Sequence, residues 1–443
     1  MRAPGSFRAV AREKVRDAHL QSALDVATAR LRDGRIAAWG ELEDVEELRT
    51  RAHEAKMRVV DDLDAHVARF REAAEARGVH TFVARTAAEA NAYVADVCRR
   101  RGARLVAKSK SMVSEEIGLN TVLETAGMRV VETDLGEYVL QLAGEHPVHI
   151  VAPAIEKTAE EIAVLLGEES TELETLTAAA RRQLRETFLT ADVGITGANF
   201  GVCDTGTVCL VTNEGNGRLV SSLPPTHIAI MGMERLVESL DDLSVLLRLL
   251  ARSGTGQKLT TYTTLLTGPR REGEADGPEE MHVVILDNGR SQLVGGRYRE
   301  MLACIRCGAC LNVCPVYRKT GGAAYSDVYC GPMGAVLVPL LAGLAQSSEL
   351  PHASSLCGAC FEACPVKIPL PELLLELRRD LVEQRAGSRS ERVLFALWSL
   401  AWSSALGYRL STTLARAVPR RALRVWTAER TMPPLGRRYR DRR

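Results

Sequence analysis

Net charge is nearly absent from this 443-residue chain: 57 lysines and arginines stand against 56 aspartates and glutamates, leaving +1 at pH 7. That balance argues against a dedicated nucleic-acid binder, whose affinity rests on a surplus of basic groups facing phosphates. Long apolar runs are missing as well. Residues 331–345 are interrupted by two prolines and three glycines. Residues 393–408 carry no charge but fall short of the roughly 20 residues a helical membrane span needs. The latter, with Phe395, Trp398 and Trp402, reads as a buried or interfacial helix. The first seven residues hold no apolar h-region, so secretion is not expected. No strand-like segment runs into G-x-G-x-x-G or G-x-x-x-x-G-K-[ST], which leaves neither a Rossmann dinucleotide site nor a P-loop supported.

Cysteine is present, and concentrated. Eight of the eleven cysteines lie between Cys304 and Cys364. The run Cys304-Ile-Arg-Cys307-Gly-Ala-Cys310-Leu-Asn-Val-Cys314-Pro315 has the bacterial ferredoxin spacing, in which three thiolates wrap one [4Fe–4S] cube and the fourth reaches a neighbouring cube. A shorter run, Cys357-Gly-Ala-Cys360-Phe-Glu-Ala-Cys364-Pro365, repeats its later part. The repeat assigns Cys304, Cys307, Cys310 and Cys364 to cluster one, and Cys314, Cys357 and Cys360 to cluster two. By register, the fourth thiolate of cluster two should stand at Ser354. The spare cysteine nearby is Cys330, outside the repeat, and an open or non-cysteine corner is the favoured reading. Zinc would use separated pairs and gives no role to three cysteines in seven residues. Thiols three residues apart are poorly placed to bridge one another. Reduced thiols and oxygen-sensitive clusters place the chain in the cytoplasm.

The remaining sequence divides by texture. Residues 7–77 read as helical, with the stretch 43–77 forming one long helix or two. Short β-branched runs then appear at 80–83, 104–107, 129–132, 149–151, 193–196, 207–211, 227–231 and 282–286, separated by amphipathic segments such as 87–101 and 158–166. Alternation of this kind predicts an α/β domain with a largely parallel sheet. The expected boundaries are an N-terminal helical region at 1–77, the α/β domain at 78–296, a two-cluster helical module at 297–387 and a helical, basic region at 388–443. A helix is expected over 371–385, with proline in its first turn and Gly387 as the stop. Residues 409–443 hold eleven arginines against Glu429 and Asp441. Following the tryptophan-bearing segment, they suggest docking to a partner or a membrane surface, the alternative being a solvated tail.

One strand-to-helix junction has the character of an anion site: Lys108-Ser-Lys110-Ser111-Met-Val-Ser114, with backbone N–H groups, two lysines and hydroxyls. An ordinary N-cap is the competing reading. Glu132-Thr-Asp134-Leu-Gly-Glu137 would face the same crevice, and the glycine-rich loops at 196–207 and 212–217 would either let backbone approach a ligand or serve tight turns without one. His149 and His227 start strands and are expected to be structural. Cys203 and Cys209 are expected to pack as small apolar residues.

Taken together, Lys108-Ser-Lys-Ser-Met, Glu132-Thr-Asp-Leu-Gly-Glu, Gly197-Ala-Asn-Phe-Gly, Asp204-Thr-Gly-Thr, Asn213-Glu-Gly-Asn, Leu223-Pro-Pro-Thr-His, the run 304–317, Gly331-Pro-Met-Gly-Ala-Val and Ser354-Ser-Leu-Cys-Gly-Ala-Cys resemble the lactate utilisation protein B family. These are iron–sulfur subunits of a three-component bacterial system that oxidises L-lactate to pyruvate. The resemblance covers nearly the whole chain. It implies an α/β LUD domain, similar to the sugar-isomerase and CoA-transferase fold, then a ferredoxin-like module with two [4Fe–4S] clusters and a small C-terminal helical region. It implies the same seven ligands, and as partners a cysteine-rich iron–sulfur subunit and a second LUD-domain subunit. Glu156 departs from the family, whose members often carry histidine there. Localisation would be cytoplasmic, extending to the inner face of the membrane. Two other readings stand beside electron transfer: a self-contained enzyme binding a 2-hydroxy acid or acyl thioester near Lys108, Lys110, Glu132 and Glu214, and a redox-sensing scaffold.

Overall fold

The computed structural model describes residues 6–145, 147, 152–386 and 389–417. Two compact units emerge, Met1–Glu383 and Gln384–Arg443. Among the described residues of the first, ten strands form two sheets. They are β1 (His80–Ala84), β2 (Leu105–Lys108), β3 (Arg129–Glu132), β4 (Val193–Gly197), β5 (Phe200–Val202), β6 (Thr207–Thr212), β7 (Thr226–Gly232), β8 (Leu236–Val237), β9 (Tyr262–Leu266) and β10 (Glu280–Leu286).

The main sheet is wholly parallel in the order β1-β10-β7-β4-β2-β3. Its central strands are buried on both faces, as near-continuous runs such as Met281-His-Val-Val-Ile-Leu286 require. From β2 the chain moves outward to β3 and then returns to the other side of β2 as β4. The strand order therefore reverses between β2 and β4. Beside this sheet lies a smaller one, β8-β5-β6-β9, with β6 antiparallel to both neighbours. Its strands β5, β8 and β9 are short or half-exposed and give no clear sequence period. The expected strand at 149–151 lies outside the described residues.

The N-terminal region is helical, and the stretch 43–77 is two helices. Val45–Asp61 and Leu63–Glu75 break at Asp62, whose backbone leaves helical angles (φ −139, ψ 61). These helices share one core with the cysteine-bearing segment: Leu20, Leu24, Leu48 and Ala52 pack in the same cluster as Ile305, Leu311, Met333 and Leu374. Hydrogen bonds fasten the contact. Arg49 donates to the Cys364 carbonyl at 3.0 and 2.8 Å and to that of Phe361 at 3.1 Å. The helix expected over 371–385 is found as Leu370–Glu383, with Leu373, Leu374, Leu377 and Leu381 inward.

In the second unit the apolar segment is not one helix. It divides into Arg389–Trp402 and Ala405–Ala417, because Ser404 caps the second helix through Gly407 N–H at 3.1 Å. Phe395, Trp398, Trp402 and Tyr408 meet edge-on or tilted along it and are exposed, correcting the buried reading. Among the described residues no helix is long and apolar enough to cross a membrane. Most of the basic segment, from residue 418 onward, lies outside the described residues.

Candidate metal centre

The two cysteine runs share a backbone as well as a sequence. Arg306 and Leu356, one before Cys307 and one before Cys357, both adopt φ +57, and the glycines that follow, Gly308 and Gly358, lie at φ +79 and +84. Each run then enters a short helix, Ala309–Val313 and Ala359–Glu362. Paired left-handed residues curl the chain back so that its N–H groups point at sulfur. Arg306 N–H bonds Cys304 and Ala309 N–H bonds Cys307. Tyr317 N–H reaches Cys314 Sγ at 3.5 Å, and Ile368 N–H reaches Cys364 Sγ at 3.4 Å. Such bonds stabilise charged sulfur.

All eleven cysteines are free thiols. Cys304, Cys307, Cys310 and Cys364 line one narrow apolar cavity together with Met301, Ile305 and Met333. Cys314, Cys357 and Cys360 form a second set of mutual electrostatic neighbours, and Cys310 faces Cys360 across the gap between the sets. Burial pushes up the thiols of Cys304, Cys307, Cys310 and Cys314, and those of Cys360 and Cys364 to about 12 and about 11. Thiolates in such surroundings need a cationic partner, and iron supplies one. Among the described residues no three His, Cys, Asp or Glu side chains converge as around one bare ion. The first four cysteines surround a space instead of a point, which is how ligands stand around a cluster. Cys330 sits elsewhere, buried and hydrogen-bonded with Tyr317, and its thiol is pushed up to about 12. Ser354, at the register position of Cys304, accepts Leu356 N–H at 3.1 Å.

A ring of buried charge clasps this centre to the α/β sheet. Arg290 holds Glu116 through both oxygens (3.0 and 2.6 Å) and pairs with Glu234 at 2.7 Å. Arg306 pairs with Glu234 at 2.7 Å and bonds Tyr329, whose hydroxyl donates to Glu116 at 2.5 Å. Burial alone would raise Glu116, but Arg290, Arg306 and Tyr329 hold it down at about 2. Gly232 is required here, since a Cβ would stand 2.0 Å from Glu234 Oε2.

At the carboxyl ends of β2, β3 and β4 lies a crevice of about 270 Å³, lined by Lys110, Asp134, Asn199, Asn213, Glu214, Arg235 and also by Arg306 and Cys307. The junction read as an anion site is divided by the fold. Lys110 faces the crevice, but Lys108 is buried against Glu115 (2.6 Å) and Glu132 (2.5 Å), which hold its ammonium charged against burial. Ser111 caps Met112–Glu116, a helix of only five residues. Glu132 and Glu137 turn to a separate acidic cleft of about 1040 Å³, and burial beside Glu132 pushes Glu137 well up. Glu214 stays at the crevice, raised by burial and by Asp134. His227 is structural: fully buried, 2.9 Å from Thr196 Oγ1 and pushed down to about 3. His149 lies outside the described residues. Cys203 and Cys209 are buried in apolar clusters, and Glu156 pairs with Lys14 at 2.8 Å.

Two family profiles match the chain, the LUD domain over residues 67–286 and the 4Fe-4S dicluster domain over residues 300–368. The lactate utilization protein B of Bacillus velezensis is 48% identical over 456 residues, covering 98% of this chain and 96% of that protein. That of Bacillus subtilis is 48% identical over 442 residues, covering 95% and 92%. The chain belongs to the lactate utilisation protein B family. Among solved structures, a duf162 family protein from Deinococcus radiodurans is 16% identical and covers 51% of this chain and 98% of its own, with a TM-score of 0.30. As a family member the chain joins a LUD domain to a ferredoxin-type module carrying [4Fe–4S] cofactors. Missed from sequence were Arg235, Arg290 and Arg306. Arg235 and Arg290 stand in unremarkable surroundings along the chain, Arg306 reads as a spacer between Cys304 and Cys307, and only the fold buries the three together.

Proposed function

We propose that this protein is the iron–sulfur electron-transfer subunit of a bacterial complex that oxidises L-lactate to pyruvate. In this reading Cys304, Cys307, Cys310 and Cys364 hold cluster one, and Cys314, Cys357 and Cys360 hold cluster two, with Ser354 or an exogenous group at the remaining corner. When bound, the clusters supply one-electron carriers of adjustable potential. The chain's own residues set their distance and surroundings. Cys310 and Cys360 are near enough to feel each other's charge, which would keep the two centres adjacent, and N–H bonds stabilise charge on sulfur. Cys357 is exposed, so cluster two reaches the surface where a partner can dock. The proposed partners are a cysteine-rich iron–sulfur subunit and a second LUD-domain subunit, at the cytoplasmic side of the membrane. The observation that carries the reading is the division of seven cysteines into two adjoining sets.

Anaerobically purified protein should contain about eight iron atoms per chain and, once reduced, give the broadened EPR signal of two interacting clusters. Zinc in place of iron, or a single isolated signal, refutes the assignment. Cys307→Ser should abolish growth on lactate with the complex still assembled. Continued growth would favour a redox-sensing scaffold. A second reading, oxidation within this chain, draws on Cys307 lining the crevice. Lactate-dependent bleaching of cluster absorbance without partners would decide for it.

A further inference from the structure

The crevice and the first cysteine set share a wall. Arg306 and Cys307 line both the cavity enclosed by Cys304, Cys310 and Cys364 and the opening at the ends of β2 and β4. That contact is built into the backbone. At the end of the helix Leu240–Gly254, a Cβ on Gly254 would stand 2.7 Å from the Cys307 carbonyl oxygen, so only glycine lets the helix lie against the cysteine loop. The opening also falls where the strand order reverses between β2 and β4, the position at which open parallel sheets collect ligands.

Its charge is specific. Arg235 is nine-tenths buried and donates one hydrogen bond, from Nη1 to the Cys304 carbonyl at 3.0 Å. It stacks over Phe200 and forms no ion pair with any described residue. Lys110 likewise forms no ion pair among the described residues. The two acids present are turned to backbone: Asp134 Oδ1 accepts Gly136 and Glu137 N–H, and Glu214 Oε2 accepts Leu135 N–H at 2.9 Å. Lys110 and Arg235 feel Glu214 and Glu234 at longer range but are held by neither in an ion pair, so two cations face a polar cavity of small-molecule size, and an anion suits that wall.

We propose that this crevice binds a small organic or inorganic oxyanion, a carboxylate or a phosphate, between Lys110 and Arg235, with the occupant lying beside the Cys307 corner of cluster one. The site differs from the seven-ligand centre and makes cluster one the place where this chain meets a small molecule, as cluster two is where it meets a protein. The inference rests on Cys304, Cys307, Cys310 and Cys364 holding a cluster.

The test uses the full chain, reconstituted anaerobically, with iron and sulfide counted first. Pyruvate, L-lactate and inorganic phosphate are each titrated by calorimetry and by EPR of the reduced protein. At least one should bind saturably and alter the line shape of cluster one. Lys110→Met should weaken that binding tenfold or more, as loss of a charge-assisted contact requires. Lys258→Met, the same charge change at an exposed position, should leave it unaltered. Response to pyruvate or lactate alone identifies a carboxylate site, and response to phosphate alone a phosphate site. The proposal is overturned if a fully loaded chain binds none of the three, if Lys110→Met binds as tightly as wild type, or if binding leaves the cluster-one signal unchanged. A chain that takes up no iron sinks the electron-transfer reading instead.

Discussion

Removing one negative charge from the buried ring should loosen both halves of the first unit. Glu116 is 1% exposed and accepts hydrogen bonds from Arg290 (3.0 and 2.6 Å), Asn288 (2.7 Å) and Tyr329 (2.5 Å). Glu116→Gln keeps the shape but leaves Arg290 and Arg306 with Glu234 as their shared counter-ion. A carboxyl held from 4.5 down to about 2 gains roughly 3 kcal/mol for its charged form, at about 1.4 kcal/mol per pH unit. Breaking a buried ion pair costs a similar amount, about 3–5 kcal/mol. The apparent melting midpoint of the loaded protein at pH 7 should therefore drop by roughly 4–6 °C. Because Arg306 stands between Cys304 and Cys307, iron should also pass to a chelator faster. The sign with pH is fixed by the depressed value. The stabilisation is complete above pH 4.5 and lost as pH falls toward about 2, so the gap between variant and wild type stays constant from pH 8 to 5 and narrows in acid. A variant melting within about a degree of wild type, with unchanged iron release, would refute the clasp.

Cys364→Ser should remove the cluster-one EPR signal and keep that of cluster two, while Cys357→Ser should do the reverse; loss of the same signal in both variants would overturn the crossed wiring. Cys330→Ala should leave both clusters loaded, since its thiol bonds Tyr317, and Ser354→Cys should complete cluster two and slow its loss in air, each read from iron content over time. His227, pushed down to about 3 by burial, stays neutral in the fold while the unfolded chain protonates near 6.5. Its contribution is therefore lost as pH falls from 6.5 toward 3, at up to about 1.4 kcal/mol per pH unit, and His227→Gln should flatten that acid limb in denaturation midpoints taken from pH 7 to 4.

The parallel strands were legible because double-sided burial writes itself as short β-branched runs, and β1, β2, β3, β4, β7 and β10 fall where those runs lie. β5 and β8 were not. A three-residue and a two-residue strand carry no period, and their pairing depends on neighbours 35 residues away in the register Gly201↔Leu236 and Val202↔Val237. The split at Ser403–Ser404 was hidden by reading an apolar run for length and not for its capping residues. Within the crevice, the motif Lys108-Ser-Lys110 looked like one basic site. Alternation along a strand and its exit sent the two lysines to different surroundings, one to Glu115 and Glu132 and one to the crevice.

The cysteine pattern was legible for a different reason: ligand spacing is local chemistry, and a repeat carries its register with it. The repeat does not contain the second layer. Arg306 occupies the place of Leu356, with the same left-handed backbone, so the two loops are alike in shape and opposite in character. Leu356 packs against the core, whereas Arg306 reaches through its own loop to Glu234 and, past Tyr329, to Glu116 at the end of β2's connection. One arginine in one copy of a duplicated loop thus adds a buried ionic anchor between the thiolate cradles and the α/β sheet. It also places Cys307 at the mouth of that sheet's crevice. Its charge lies beside Cys304, which the proposed assignment gives to cluster one. Cluster one should therefore have the higher reduction potential of the pair, and Arg306→Leu, which makes the loops chemically equal, should narrow the difference in a potentiometric EPR titration; a gap left unchanged would separate the anchoring role from any electrostatic one.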